Sequence, residues 1–364
     1  MQRKGWKRAT FATGALLLLS LLLLPACCCV RDAGQAPRMP HHDVPPPAIG
    51  HQDFEVPDAA VPADATETRM RNVHFWLASD LILRIHRLRG IMRAKTKGAP
   101  LNFDDKTSFV VEIRDAEVGI SGPNLERLLN RYVFTGPDAP LRDLSITIRD
   151  GAIHQSGILH KIIDIPFEMA SSAELTEDGR IRLHPESIEI CDLPGKSLMR
   201  AFGMSLEEAM DLTGIEGVTV EKNDLIIDPL AILPPPAMEG RIAEIRLKKG
   251  ELVQLFSSDE AVEPLEIPFD VPNYMFFRRG TLRMGKLYMV QADMQVVDSD
   301  PSDPFEFYLD VYNRQLVAGF TQNLADYGLL VIMRDVDDLD QPIKSDELIC
   351  REPPCEPPGV AVAK

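Results

Sequence analysis

Aromatic residues are scarce in this chain, 6% of the total with two tryptophans, which leaves few flat rings for a sugar-binding surface. Positive charge is also short. Lys and Arg number 39 against 55 Asp and Glu, so the formal net charge is −16 and the pI near 5.0. That balance excludes a nucleic-acid partner, which needs a basic face. Signatures of chemistry are missing too: there is no Gly-x-Ser-x-Gly elbow, no Gly-x-x-x-x-Gly-Lys-Ser/Thr loop, no His-Glu-x-x-His and no Gly-x-Gly-x-x-Gly. His154 and His160 flank Ser156, but no orienting acid or oxyanion hole accompanies them, and they read as surface residues of a hairpin. Asp298, Asp300 and Asp303 lack the glycine and terminal glutamate of a calcium loop, so they read as a solvated acidic turn. The acidic run Asp335, Asp337, Asp338 and Asp340 reads the same way. Neither an enzyme, a cofactor nor a metal site is expected.

What is present begins with an export signal. Arg3, Lys4, Lys7 and Arg8 precede a leucine-rich run from Ala15 to Leu24, then Pro25-Ala26-Cys27. A basic start, a short apolar stretch and a small residue before a cut describe a secretory signal. Leu24-Pro25-Ala26-Cys27 resembles the lipobox of bacterial lipoproteins, with Pro25 departing from the usual small residue and Cys28 and Cys29 as other registers. The resemblance implies acylation of Cys27. The alternative is an uncleaved anchor, since Phe11 to Val30 would cross ~30 Å of hydrocarbon. Either outcome puts the rest of the chain on the periplasmic side of an envelope membrane, held there by its N-terminus. By resemblance to lipoprotein sorting, a residue other than aspartate after Cys27 favours the outer membrane. Cys350 and Cys355 flank Arg-Glu-Pro-Pro and suit a small disulfide loop in an oxidising compartment. Cys191, alone on an apolar pattern, reads as a small buried hydrophobe.

Residues 27–70 carry the tether and a proline-rich linker, in which prolines from Pro37 to Pro62 recur among Ala, Asp, Gln and His. His41-His42-Asp43 lies within it. Beyond it, alternating runs such as Leu81-Ile82-Leu83-Arg84-Ile85, Leu144-Ser145-Ile146-Thr147-Ile148 and Ile242-Ala243-Glu244-Ile245 predict half-buried strands. Asp150-Gly151, Asp178-Gly179, Lys249-Gly250 and Arg279-Gly280 predict hairpin turns between them. Pro123 to Tyr132 predicts one amphipathic helix and Ser197 to Leu212 a second with a broad apolar face. The expected parts are a β-rich domain over 71–256, a β-rich subdomain or continuation over 257–340, and a disordered tail over 341–364. Pro234-Pro235-Pro236 marks a stiff corner.

The run Glu177 to Pro194, with Asp178-Gly179-Arg180-Ile181, Pro185, Ser187-Ile188 and Leu193-Pro194, resembles a stretch of the LmeA-like phospholipid-binding proteins. The likeness covers about residues 108–256. It implies a tubular lipid-binding-like fold, α+β, with long curved antiparallel sheet wrapped on one or two helices and a lipid along the inner face. On that reading Leu198, Met199, Phe202, Leu206 and Met210 line the site, opposite Ile181, Leu183, Ile188 and Ile190. The expected function is non-enzymatic binding or transfer of a lipid or amphiphile in the envelope. The alternative is a scaffolding lipoprotein with a solid core that binds other envelope proteins. A hydrolase acting on envelope polymers is a distant third.

Overall fold

Residues that alternate apolar and polar cannot satisfy both faces in water, so they pair into sheets and turn the apolar face inward. The computed structural model describes residues 65–160, 164–190, 193–194, 206–210, 212–258, 267–324 and 328–340. In chain order come β1 (Ala65–Ala78), β2 (Leu81–Ala94), the short β3 (Leu101–Asn102) and β4 (Phe109–Ser121). Helix α1 (Gly122–Leu128) runs into a π-helical turn (Leu129–Val133). Then follow β5 (Leu141–Arg149), β6 (Ala152–His160), β7 (Asp164–Leu175), β8 (Ile181–Ile190) and β9 (Leu193–Pro194). The single turn α2 (Leu206–Ala209) precedes β10 (Val218–Glu221), β11 (Asp224–Ile227), β12 (Ala237–Glu239), β13 (Ile242–Lys248) and β14 (Glu251–Ser257). The last stretch adds β15 (Tyr274–Arg278), β16 (Thr281–Met284), β17 (Leu287–Val290), β18 (Asp293–Asp298) and β19 (Phe305–Tyr308). Helix α3 (Tyr312–Ala318), β20 (Phe320–Asn323) and β21 (Leu329–Met333) complete it.

The strands form three sheets, mostly antiparallel, and the fold is α+β with helices few and short. The main sheet has eleven strands in the order β13-β14-β4-β2-β1-β15-β18-β21-β20, with β12 beside β4 and β19 beside β1. A second, of seven, runs β10-β11-β8-β7-β6-β5 with β9 on β8, and β17-β16-β3 make a small third. β2 and β4 are curved by two irregularities, where His86 and then Arg114 stand as the extra residue in the pairing. Such bulges bend and twist a strand. They also move the inward set from Leu83 and Ile85 to Leu88 and Met92, keeping apolar residues inside along the whole strand.

The outer face of this pair carries a lattice of opposite charges. Arg84 lies 3.3 Å from Glu251, Arg89 3.4 Å from Glu67 and Arg93 2.9 Å from Glu112, while Arg87 pairs with Asp115. Most of these pairs cross from one strand to its neighbour. Each adds well under about 1 kcal/mol, but together they favour one register.

Three readings are corrected. β1 starts at Ala65, so residues 65–70 belong to the sheet and not to the linker. Arg279-Gly280 makes no hairpin between its flanking strands: β15 pairs with β18, and β16 leaves for the small sheet. The run Gly285-Lys286-Leu287-Tyr288-Met289-Val290 also predicts a strand, but its first two residues are the β16–β17 turn, with Gly285 at φ +58, and β17 starts at Leu287. The expected hairpins at Asp150-Gly151, Asp178-Gly179 and Lys249-Gly250 are present. After the Pro235–Pro236 corner the chain rejoins the main sheet through β12. The last stretch also extends that sheet, with β15 beside β1.

At the C-terminal part of the core Phe103 is surrounded by rings. Phe109 and Phe277 lie 5.5 Å away, Tyr312 6.0 Å and Phe307 6.3 Å. The scarce aromatics are thus concentrated where β3, β15, β19 and α3 converge. Replacing Phe103 with Ala is expected to cost about 3–5 kcal/mol of stability, read as a lower urea midpoint with an unchanged slope.

Candidate functional site

Stacked sheets sit about 10 Å apart, a gap that side chains from both inner faces normally close. Here they leave a cavity. One wall comes from the main sheet: Leu83, Ile85, Leu88 and Met92 of β2, Val111, Ile113, Val118 and Ile120 of β4, and Leu252 and Phe256 of β14. The other comes from the second sheet: Ile146 of β5, Ile153 of β6, Ile181 and Leu183 of β8 and Ile227 of β11. Leu125, Leu128 and Leu129 of α1 and its π-turn, with Leu230, Ile232 and Leu233 of the loop after β11, fill the remaining sides. The centre of a water molecule has about 70 Å³ in which to move, within about 1070 Å³ free of atoms and partly open to solvent. By that measure the room equals roughly five or six waters, but an apolar cavity stays dry.

The lining follows β2 from Leu83 to Met92, about 30 Å of strand. Among the described residues the lining contains no Asp, Glu, Lys, Arg or His. The polar side chains in it are Gln155 of β6 and Gln254 of β14, each 7% exposed. Gln155 Nε2 and Gln254 Oε1 have no hydrogen-bond partner. A buried unpaired amide group costs about 1–3 kcal/mol. The void itself costs about 2 kcal/mol at ~24 cal/mol per Å³. The protein therefore carries a local penalty that a fitting ligand would relieve.

A smaller cavity of about 40 Å³ lies alongside, lined by Leu141, Leu159, Phe167, Met169, Ile188, Ile190, Leu206, Met210 and Leu225. Gln155 borders both cavities. The residues expected to face one another are thus divided: Ile181 and Leu183 line the large cavity, and Ile188, Ile190, Leu206 and Met210 the small one. They part by position along β8, Ile181 and Leu183 near its start and Ile188 and Ile190 near its end; between them a bulge, where Ser171 pairs with Pro185 and Ala170 with Ser187, leaves Glu186 extra and keeps both sets on the inner face. The inward parity therefore changes between Leu183 and Ile188. Leu198, Met199 and Phe202, and Cys27, Cys191, Cys350 and Cys355, lie outside the described residues. The opposite wall on β2, β4 and β14, and the two glutamines, were not singled out in the sequence. Inward alternation along Leu252-Gln254-Phe256 was the available signal.

The outer face of the second sheet is polar, with Ser145, Thr147, His154, Ser156, Glu168 and Glu189 around an open hollow. His154 and Ser156 thus project outward, as expected of a hairpin. His160 Nδ1 is 2.7 Å from Asp164 Oδ1.

The acidic turn differs from expectation. Asp298 is 2% exposed, and its carboxyl comes within 4.8 Å of those of Asp303 and Asp335. Asp298 Oδ1 accepts from the Asp300 N–H at 2.9 Å, and Oδ2 from Asn273 Nδ2 at 3.3 Å. Burial, then the Asp335 charge, pushes the Asp298 carboxyl up to about 9. Burial likewise pushes Asp335 up to about 7. Asp298 and Asp335 are thus neighbouring carboxyls whose burial disfavours their charge, not members of a solvated run. None of the three lines either apolar cavity.

Comparison with protein-family models, with curated proteins and with solved structures finds no match in any of the three. The geometry on its own defines a protein of two facing sheets with an apolar cavity between them, uncharged among the described residues. No helix among the described residues is long and apolar enough to cross a membrane.

A carboxyl that binds its proton more tightly when folded stabilises the fold fully below its unfolded value near 4. That contribution is lost as pH rises toward 9 for Asp298 and toward 7 for Asp335. Asp298→Asn, which mimics the protonated carboxyl, is expected to melt higher than the wild type at pH 9 and close to it at pH 4. Thermal melts across this range check it; a gap that widens toward acid would contradict the assignment.

Proposed function

We propose that the protein binds a chain lipid or similar amphiphile between its two sheets without altering it chemically. One observation carries this reading: a cavity between the sheets whose lining follows about 30 Å of β2 and, among the described residues, has no charged side chain. Binding sites for apolar ligands are lined in this way, with a few placed polar groups for orientation. The length exceeds the depth of one leaflet, half of a ~30 Å bilayer core. An acyl chain needs more room than the empty cavity offers, so loading requires Leu, Ile and Met side chains of the lining to move aside. Each buried methylene returns about 0.8 kcal/mol. The N-terminal signal, with acylation at Cys27, and the resemblance to LmeA-like proteins favour the periplasmic side of a bacterial envelope as the place of action.

Organic extraction of detergent-free protein, followed by native mass spectrometry, is expected to release a co-purified lipid in near-stoichiometric amount. Leu183→Trp, which fills the void from β8, is expected to lower retention of a radiolabelled fatty acid at least tenfold while the protein stays folded. Protein free of lipid that also takes up no chain would favour the scaffolding role instead.

A further inference from the structure

Among the described residues, every lining residue of the large cavity is accounted for by hydrophobic burial except Gln155 and Gln254. Each is more than nine-tenths buried, each faces the void, and each has an amide atom without a partner. Buried polar groups are nearly always paired, and an exception asks for a reason.

Their place along the cavity is defined by the strand register. Gln254 stands opposite Val118, which stands opposite Ile85. Gln155 stands opposite Ile146 on β5. The Ile146 N–H donates to Glu126 Oε2 of α1 at 3.2 Å, and the Gly122 N–H at the start of α1 donates to Gly250 O at 3.1 Å. Both glutamines therefore lie within a few residues of α1. From the level of Ile85 to Met92 the wall continues for about 23 Å, with Leu88 and Met92 on β2 and Val111 and Ile113 on β4. The two amides thus lie toward the α1 end, flanked there by Leu83, Ile120 and Leu252, and the longer remainder of the described lining is apolar.

We infer that the cavity takes a single-chain lipid whose polar end is an uncharged group able both to donate and to accept, a hydroxyl or an amide, held by Gln155 and Gln254. The inference rests on the lipid-binding reading above and narrows its ligand. One glutamine offers an unpaired donor and the other an unpaired acceptor, and a hydroxyl answers both, as a buried water would. An ionised carboxylate or phosphate at this end would meet one donor and no cation, at a large desolvation cost. The tail then follows β2 and β4 away from α1.

The test uses the delipidated full-length chain and retention of radiolabelled 1-hexadecanol, its methyl ether and palmitate at pH 8 through size-exclusion. The wild type is expected to hold the alcohol about tenfold more tightly than the ether, which cannot donate. Gln155→Met and Gln254→Met, which keep side-chain length, are expected to weaken alcohol retention about five- to tenfold and to change ether retention less than twofold. They are also expected to raise the melting temperature of the empty protein, because an unpaired amide is removed. Equal retention of alcohol and ether by the wild type would overturn the inference even if a variant failed to fold. Loss of stability in both Met variants with unchanged alcohol retention would overturn it too, leaving the glutamines as structural groups and chain binding intact. If the wild type retained none of the three, the lipid-binding reading itself would fall.

Discussion

Two sheets, each apolar on one face, must bury those faces against each other. The rest of the structure follows from that requirement. The main sheet does not lie flat against its partner, because the extra residues His86 and Arg114 bend its longest strands. A bent surface and a smaller twisted one cannot stay at constant separation with side chains of ordinary size. Where they diverge, α1 with its π-turn and the loop after β11 bring in Leu125, Leu128, Leu230 and Leu233, and still leave a void.

Polarity is partitioned in the same way. Charges stand on the outer face, where Arg and Glu or Asp side chains meet across strands, and none reaches the cavity. The part of the fold built from β15 to β21 behaves differently. It extends the main sheet beyond β1, adds the aromatic packing around Phe103, and buries a carboxyl at Asp298 beside Asp335. No described residue after Phe256 lines either apolar cavity. β1 joins the two regions: its first half pairs with β15 and its second with β19, and Asn72, at φ +51, stands between them.

Much of the strand content was readable because a half-buried strand has a period of two, and Leu83-Arg84-Ile85 or Ile146-Thr147-Ile148 display it directly. The helix over Pro123 to Tyr132 was readable for the equivalent reason at a period near 3.6. Hairpin turns were readable where a charged residue and a glycine both take positive φ, as at Asp150-Gly151 and Lys249-Gly250. Arg279-Gly280 has the same residues and the same positive φ, yet its strands part company. Turn chemistry selects a local conformation; it does not choose the partner strand. Asp298 went astray for a similar reason, since its neighbours Ser, Asp and Pro look solvated while Asn273 and Asp335, distant in sequence, enclose it.

The sequence alone determined which residues seek the interior, which faces carry charge and where the chain is able to turn, because these depend on neighbours two to four positions away. Only tertiary structure decided that β2, β4 and β14 oppose β5, β6 and β8, that Ile181 and Ile188 from opposite ends of β8 border different cavities, and that Gln155 and Gln254 share one void. Those outcomes depend on strands far apart in the chain and on a curvature that arises only when the sheets are assembled.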